Sequence, residues 1–265
     1  MKTLAEKRLP RQDTQVRVIC GHELQKFLRS KRVIGVMAVA VLASIAVVYF
    51  ISNNLDPEAI AGLLGFSLVL APVLLVITAA LVGSDALLVE FHEKTGYSLF
   101  ANPVSRTAIW FGKFFAAEII IFIVIGIYFG VISAAALIKF GDVPSSILLA
   151  PMLFSLVLGT LVMSLAFLWS AVFKGPLAST ITVLFSLVPL PIVDTILASQ
   201  QIETWYMPYS AVNNVIRVLA LLDRDLLVGD STVMAVPVTV SLLVVVAYIV
   251  GFSVVSIYLF KRRDM

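Results

Sequence analysis

Long apolar runs separated by short polar segments dominate this sequence. A membrane-spanning α-helix needs about 20 mainly apolar residues, and six runs reach that length, at 33–52, 58–83, 108–138, 147–173, 177–198 and 233–260. The third run is long enough to tilt or to extend beyond the bilayer, and Pro189 and Pro191 predict a kink in the fifth. The pattern predicts an all-α integral membrane protein whose six spans form one domain over residues 33–265.

A separate amphipathic segment precedes the first span, within an N-terminal region of residues 1–32. One helical face of it carries Val16, Ile19, Cys20, Leu24, Phe27 and Leu28, and the opposite face carries Arg17, His22, Gln25, Lys26 and Arg29. Such a helix is typical of segments that lie flat on a membrane surface. We expect an interfacial helix on the inner leaflet; the alternative is a cytosolic helix packed on a partner.

Composition and charge give the class of protein and its orientation. Hydrophobic residues make up 60% of the chain and charged residues only 13%, whereas soluble domains carry roughly 25% charged residues. The net charge of +3 therefore indicates contact with lipid headgroups and not a nucleic-acid partner. Of the 19 lysines and arginines, 16 fall on the side that holds both termini. The positive-inside rule makes that side cytoplasmic, in a multi-pass protein of the plasma membrane.

Enzyme chemistry finds little support in the sequence. No Gly-x-x-x-x-Gly-Lys-Ser/Thr segment is present to cradle a nucleotide phosphate. His92-Glu93 begins like a zinc-protease motif, but the position of the second histidine is Gly96, and a single cysteine excludes a multi-cysteine metal site. Asp85 and Asp194 are predicted at opposite ends of their spans, too far apart for a catalytic pair. We expect no catalytic residue, no metal and no cofactor on this chain.

The loop between the second and third spans, residues 84–107, is the most distinctive segment. It is polar and helix-prone, it carries both charge signs and an aromatic residue, and Gly112-Lys113 follows it at the start of the third span. Such a loop suits docking to a soluble protein better than catalysis. Together with the six spans, the N-terminal interfacial helix and the run Asn-Pro-Val-Ser-Arg at 102–106, it resembles the permease subunits of ABC-2 type ABC transporters.

The resemblance implies a division of labour between subunits. In that family the loop forms a cytoplasmic coupling helix that seats in a cleft of a cytosolic ABC ATPase, which binds ATP and magnesium, and two permease subunits enclose the pathway. Carried over, the coupling residues are Glu90, His92, Glu93, Lys94 and Tyr97, with Pro103 and Arg106 positioning the turn into the third span. The chain is then expected to be the permease of an ATP-driven exporter that forms a homodimer or pairs with a similar subunit.

Glu118 keeps an alternative open. It is the acidic residue predicted deepest in any span, and a carboxylate in the bilayer is expected to face the bundle or a wet cavity. It is either structural, hydrogen-bonded to a neighbouring helix or reached by Lys113, or part of a pathway. A pathway role would suit a proton-coupled secondary transporter, although no inverted repeat supports one.

Two further segments carry weaker signals. The outer segment 199–232 contains Pro208, which can begin a short amphipathic or re-entrant helix. In the third span, Gly126, Gly130 and Ala134 share a face and permit close helix contact. We expect that contact within the chain, with a subunit interface as the alternative.

Overall fold

The structure, a computed structural model, describes residues 11–54, 70–88, 105–140, 145–200, 202, 204–212 and 238–262, and most of these are helical. No strand occurs in these ranges. The helices are α1 (Gln12–Arg29), α2 (Lys31–Asn54), α3 (Leu70–Gly83), α4 (Arg106–Phe140), α5 (Ser145–Val172), α6 (Pro176–Leu187), α7 (Pro189–Ser199) and α8 (Val238–Arg262).

The predicted membrane spans are largely confirmed. Within the described ranges, five segments are long and apolar enough to cross a membrane: Lys31–Tyr49, Arg106–Ile138, Pro151–Val172, Pro176–Leu197 and Thr239–Arg262. The remaining predicted span is described only over the apolar helix α3, because residues 58–69 lie outside the described part. The chain is an all-α, multi-pass integral membrane protein.

The predicted kink in the fifth span is a break between α6 and α7. The helix ends at Leu187 and restarts at Pro189, although the Val188 amide still donates to Leu184 O at 3.0 Å. Proline has no N–H to donate, and its ring clashes with the carbonyl four residues earlier, so the helical ladder is interrupted there. Residues 208–212 are helical, so a helix begins at Pro208; the amphipathic or re-entrant character of the outer segment stays a prediction, because residues 213–232 lie outside the described part.

The core of the bundle lies around α4, which packs against α1, α2, α5 and α8. Its fully buried side chains include Trp110, Ile121 and Tyr128. At Gly159 of α5, an added Cβ would lie only 2.7 Å from the Cγ2 atom of Ile121, so the missing side chain lets α4 and α5 approach closely. The length of α4, 35 residues, exceeds the roughly 20 residues of one crossing and requires tilt or extension beyond the bilayer, as expected.

The apolar face of α1 is directed at the bundle. Ile19, Leu24 and Phe27 pack against the hydrophobic core, mainly on α4, while Val18 and Leu28 are exposed. The sequence predicted that this face contacts the inner leaflet. In the structure it contacts other helices of the same chain instead. A position of α1 beside the membrane surface remains a prediction.

The small-residue face of α4 has no such partner. Around the Cβ positions of Gly126 and Gly130, apart from the adjoining residues and backbone of α4 itself, no atom of the described residues lies within 4 Å. Among the described residues these glycines mediate no close packing, so the expectation of packing within the chain stays a prediction. Close approach occurs instead at Gly112, near the start of the same helix.

Candidate coupling site

The residues that follow α3 are fastened to the bundle one after another. We call residues 84–88 the anchored turn. The hydroxyls of Ser84 and Thr180 hydrogen-bond at 2.8 Å, which ties the turn to α6, and the Leu87 amide donates to Ser170 Oγ at 3.2 Å, which ties it to α5. Both contacts reach distant parts of the sequence. The turn is therefore held by tertiary contacts as well as by its own backbone.

The two residues between these contacts reach two further helices. Asp85 forms an ion pair with Arg32 at the start of α2, and Ala86 O accepts a hydrogen bond from Lys113 Nζ of α4 at 2.8 Å. The same Nζ donates to Glu23 Oε1 of α1 at 2.9 Å. Lys113 is only 1% exposed, and a buried ammonium is tolerated where such acceptors satisfy it. One side chain thus joins α1, α4 and the anchored turn.

The segment 89–104 lies outside the described residues, but the chain that follows it is also fastened. The Ser105 amide donates to Gln15 Oε1 of α1 at 3.2 Å. Arg106 Nη1 donates to Lys261 O, in the last turn of α8, at 2.7 Å. Between them, the two ends of the segment contact α1, α2, α4, α5, α6 and α8. The described residues on both sides of the segment are therefore bonded to most of the helices of the bundle.

Trp110 extends this network inward. Its indole Nε1 donates to Ser256 Oγ of α8 at 2.9 Å, and that hydroxyl donates in turn to Phe167 O of α5 at 2.9 Å. The ring stacks on Phe114, with centroids 4.9 Å apart, and meets Phe167 edge-on. A buried indole with a satisfied N–H packs rigidly, so α4, α5 and α8 are held together about one helical turn beyond Arg106.

Close contact at Gly112 sets the position of α1. A Cβ added there would lie 2.7 Å from Ile19 Cγ2, 2.8 Å from Ile19 Cβ and 3.1 Å from Val16 O. Two of these atoms, a Cβ and a backbone oxygen, cannot move away without moving the helix. Glycine at this position therefore permits the approach that places Glu23 of α1 within reach of Lys113.

Among the residues expected to couple the chain to an ATPase, only Arg106 is described, at the beginning of α4. The others, Glu90, His92, Glu93, Lys94, Tyr97 and Pro103, lie outside the described residues. What the structure adds is the set of polar side chains that fasten the flanks of this segment. Sequence reasoning missed Gln15 and Glu23, although both fall beside Ile19 on the inward face of α1 at spacings of four residues.

Glu118 lies between α4 and α5. It is 6% exposed, and Thr160 Oγ1 donates to its Oε2 at 3.3 Å. Its Oε1 has no hydrogen-bond partner among the described residues. The nearby cation considered from the sequence, Lys113, is bonded to Glu23 and Ala86 O. The contact to Thr160 is the kind that a structural role for Glu118 requires.

These features define an all-helical, multi-pass membrane protein in which one polar segment is fastened to the bundle on both sides. A family model described as "ABC-2 family transporter protein" matches residues 17–265. The chain belongs to this family and is an ABC transporter permease, a transmembrane subunit that is not itself catalytic. A search of curated proteins found no match. Family membership favours the permease over the proton-coupled secondary transporter.

Proposed function

We propose that the chain is the permease subunit of an ABC exporter driven by a separate cytosolic ATPase, with residues 84–107 as the coupling element. Family membership supports the permease role. The lack of a phosphate-binding loop in the sequence supports an external source of ATP hydrolysis. The excess of lysine and arginine on one side supports cytoplasmic termini and a cytoplasmic coupling segment.

The observation that carries this proposal is the fastening of both flanks of the segment. The anchored turn bonds to α2, α4, α5 and α6, and Ser105 and Arg106 bond to α1 and α8. The bonds from Leu87 to Ser170 and from Lys113 to Ala86 O are buried, so water does not compete for them. A docking force on the segment would therefore move helices together, which a loop attached only through its backbone would not do.

The roles proposed for individual residues come from the family resemblance. The charged and aromatic side chains of the segment, Glu90, His92, Glu93, Lys94 and Tyr97, contact the ATPase. Pro103 and Arg106 direct the chain into α4, with the bond from Arg106 to Lys261 O supporting that role. ATP and magnesium are held by the ATPase, and a second permease subunit, identical or similar, completes a pathway that opens alternately to the two sides.

The test combines purification with a pair of substitutions. Isolation from native membranes is expected to recover a Walker-type ATPase with the chain. The double variant Glu93→Lys with Tyr97→Ala is expected to insert normally, because changes in exposed loops rarely unfold a bundle, and to lose transport-linked ATP hydrolysis. Lys174→Glu, an exposed charge reversal in another loop of the same predicted side, is the control and is expected to hydrolyse normally. Unchanged ATPase stimulation in the double variant would refute the coupling role.

A further inference from the structure

A groove of about 660 Å³ opens between α1 and α4, within the size range of ligand sites, roughly 300–1,000 Å³. On the α4 side it is lined by the rings of Phe111 and Phe115, which are 39% and 48% exposed and stack with centroids 6.2 Å apart. On the α1 side it is lined by Arg17, Cys20 and Gly21, among others. The groove is thus apolar on one wall and polar on the other.

The apolar wall lies on a helix that is long and apolar enough to span a membrane. Phe111 and Phe115 lie within the span Arg106–Ile138, and Phe115 is about 13 Å along the helix from its first residue. Phe122, also exposed, lies on the same helical face, within about 40° of both rings at 3.6 residues per turn. From the groove, an exposed aromatic surface therefore continues along α4 toward the middle of the span. A water-soluble protein could cover the α1 rim but not this continuation, whereas an acyl chain fits it.

The polar wall supplies a cation. Asp13, at the mouth of the groove, pairs with Arg11 at 3.0 Å. Arg17 is exposed, and no carboxylate of the described chain lies within ion-pair distance of it. A guanidinium presents several N–H donors in a planar fork that matches the oxygens of a phosphate group. We propose that this groove binds one phospholipid, with its phosphate on Arg17 and an acyl chain over Phe111 and Phe115.

The first test is native mass spectrometry of the purified full-length chain, titrated with phosphatidylglycerol in detergent. Arg17→Gln is expected to weaken binding of the tightest lipid about fivefold, as for loss of one cation beside anionic lipid. Arg29→Gln is the control, because Arg29 is also exposed on α1 but lies about 120° around the helix. Diacylglycerol, which has the acyl chains without the phosphate, is expected to bind the wild type and Arg17→Gln equally.

A second variant closes the groove without removing charge. Around the Cβ position of Gly21 there is open space, with nothing within 4 Å, so Gly21→Leu fills the groove while the helix gains propensity. It is expected to lose the tightest lipid, whereas Gly35→Leu, at an equally open glycine of α2, retains it.

Cys20, the only cysteine of the chain, reports occupancy directly. Phosphatidylglycerol is expected to slow its reaction with a maleimide in the wild type and to have less effect in Arg17→Gln. Because burial raises the pKa of this thiol, rates are compared at one fixed pH. Equal lipid affinity in the wild type, Arg17→Gln and Gly21→Leu would overturn the proposal. So would protection of Cys20 by the ATPase and not by lipid, which would make the groove a protein-docking surface.

Discussion

Replacing Lys113 by methionine tests the central contact of the coupling site. The substitution keeps most of the side-chain volume and removes an ammonium that donates to Glu23 Oε1 at 2.9 Å and to Ala86 O at 2.8 Å. Breaking a buried ion pair from one side costs about 3–5 kcal/mol. Two features lower that figure here: the Glu23 side chain is 13% exposed, and Lys26 lies 4.0 Å from its other oxygen. We expect the free energy of unfolding to fall by about 2–3 kcal/mol.

The matched control is the ion pair at the neighbouring residue of the anchored turn. The Arg32 side chain is 67% exposed and the Asp85 side chain 15% exposed, so Arg32→Met is expected to cost less than Lys113→Met, about 1–2 kcal/mol. Both variants, Glu23→Gln and the double variant Glu23→Gln with Lys113→Met are compared by reversible unfolding in mixed micelles. The double-mutant cycle is expected to return a coupling energy of about 1–3 kcal/mol, because the two residues are in direct contact.

Two results would refute this reasoning. Equal destabilisation by Lys113→Met and Arg32→Met would mean that burial of Lys113 adds nothing to its contacts. Strict additivity of the Glu23 and Lys113 substitutions would mean that the two side chains do not stabilise each other, so α1 would be held to α4 by apolar packing alone.

Three further predictions concern topology, Glu118 and helix packing. In a cysteine-free background, a cysteine at Lys94 is expected to react with an impermeant maleimide only after permeabilisation, and one at Arg217 in intact cells; the reverse pattern would invert the topology. Glu118→Gln is expected to transport near-normally across pH, because an amide can keep the bond to Thr160; an altered pH dependence would indicate a pathway role. Gly112→Ala is expected to lower the free energy of unfolding by about 1–3 kcal/mol through overpacking. Gly126→Ala is the control and is expected not to destabilise, because the added methyl group meets open space. Equal effects of the two substitutions would argue against the close packing of α1 on α4.

Sequence predicted the spans well because the bilayer imposes both their length and their apolarity. The third span was predicted over 108–138 and α4 runs from Arg106 to Phe140. Pro189 likewise predicted the break before α7, since the interruption follows from the residue's own chemistry. These features depend on local sequence alone.

The coupling site was predictable only in part. The polar segment stands out by composition, but the contacts that fasten its flanks join residues far apart in the sequence, as Lys113 and Glu23 show. Gln15 and Glu23 resemble ordinary polar residues of an amphipathic helix. Only the packing of α1 on Gly112 turns them inward, and one sequence carries no signal for which neighbour a helix will choose. The roles of Glu90 to Pro103 stay predictions.

The last turn of α3 affects the direction in which the segment 89–104 leaves the helix. Residues Ala79–Gly83 form a π-helical turn, which accommodates one extra residue relative to an α-helix. If the same residues were wound as a regular α-helix instead, everything that follows would rotate by about 100° relative to the bundle. Asp85 would then turn away from Arg32, and the segment would leave the membrane in a new direction with its own sequence unchanged. The π turn thus determines the direction in which the following segment leaves α3, whereas the segment's own residues determine its composition. The two properties can therefore change independently of each other.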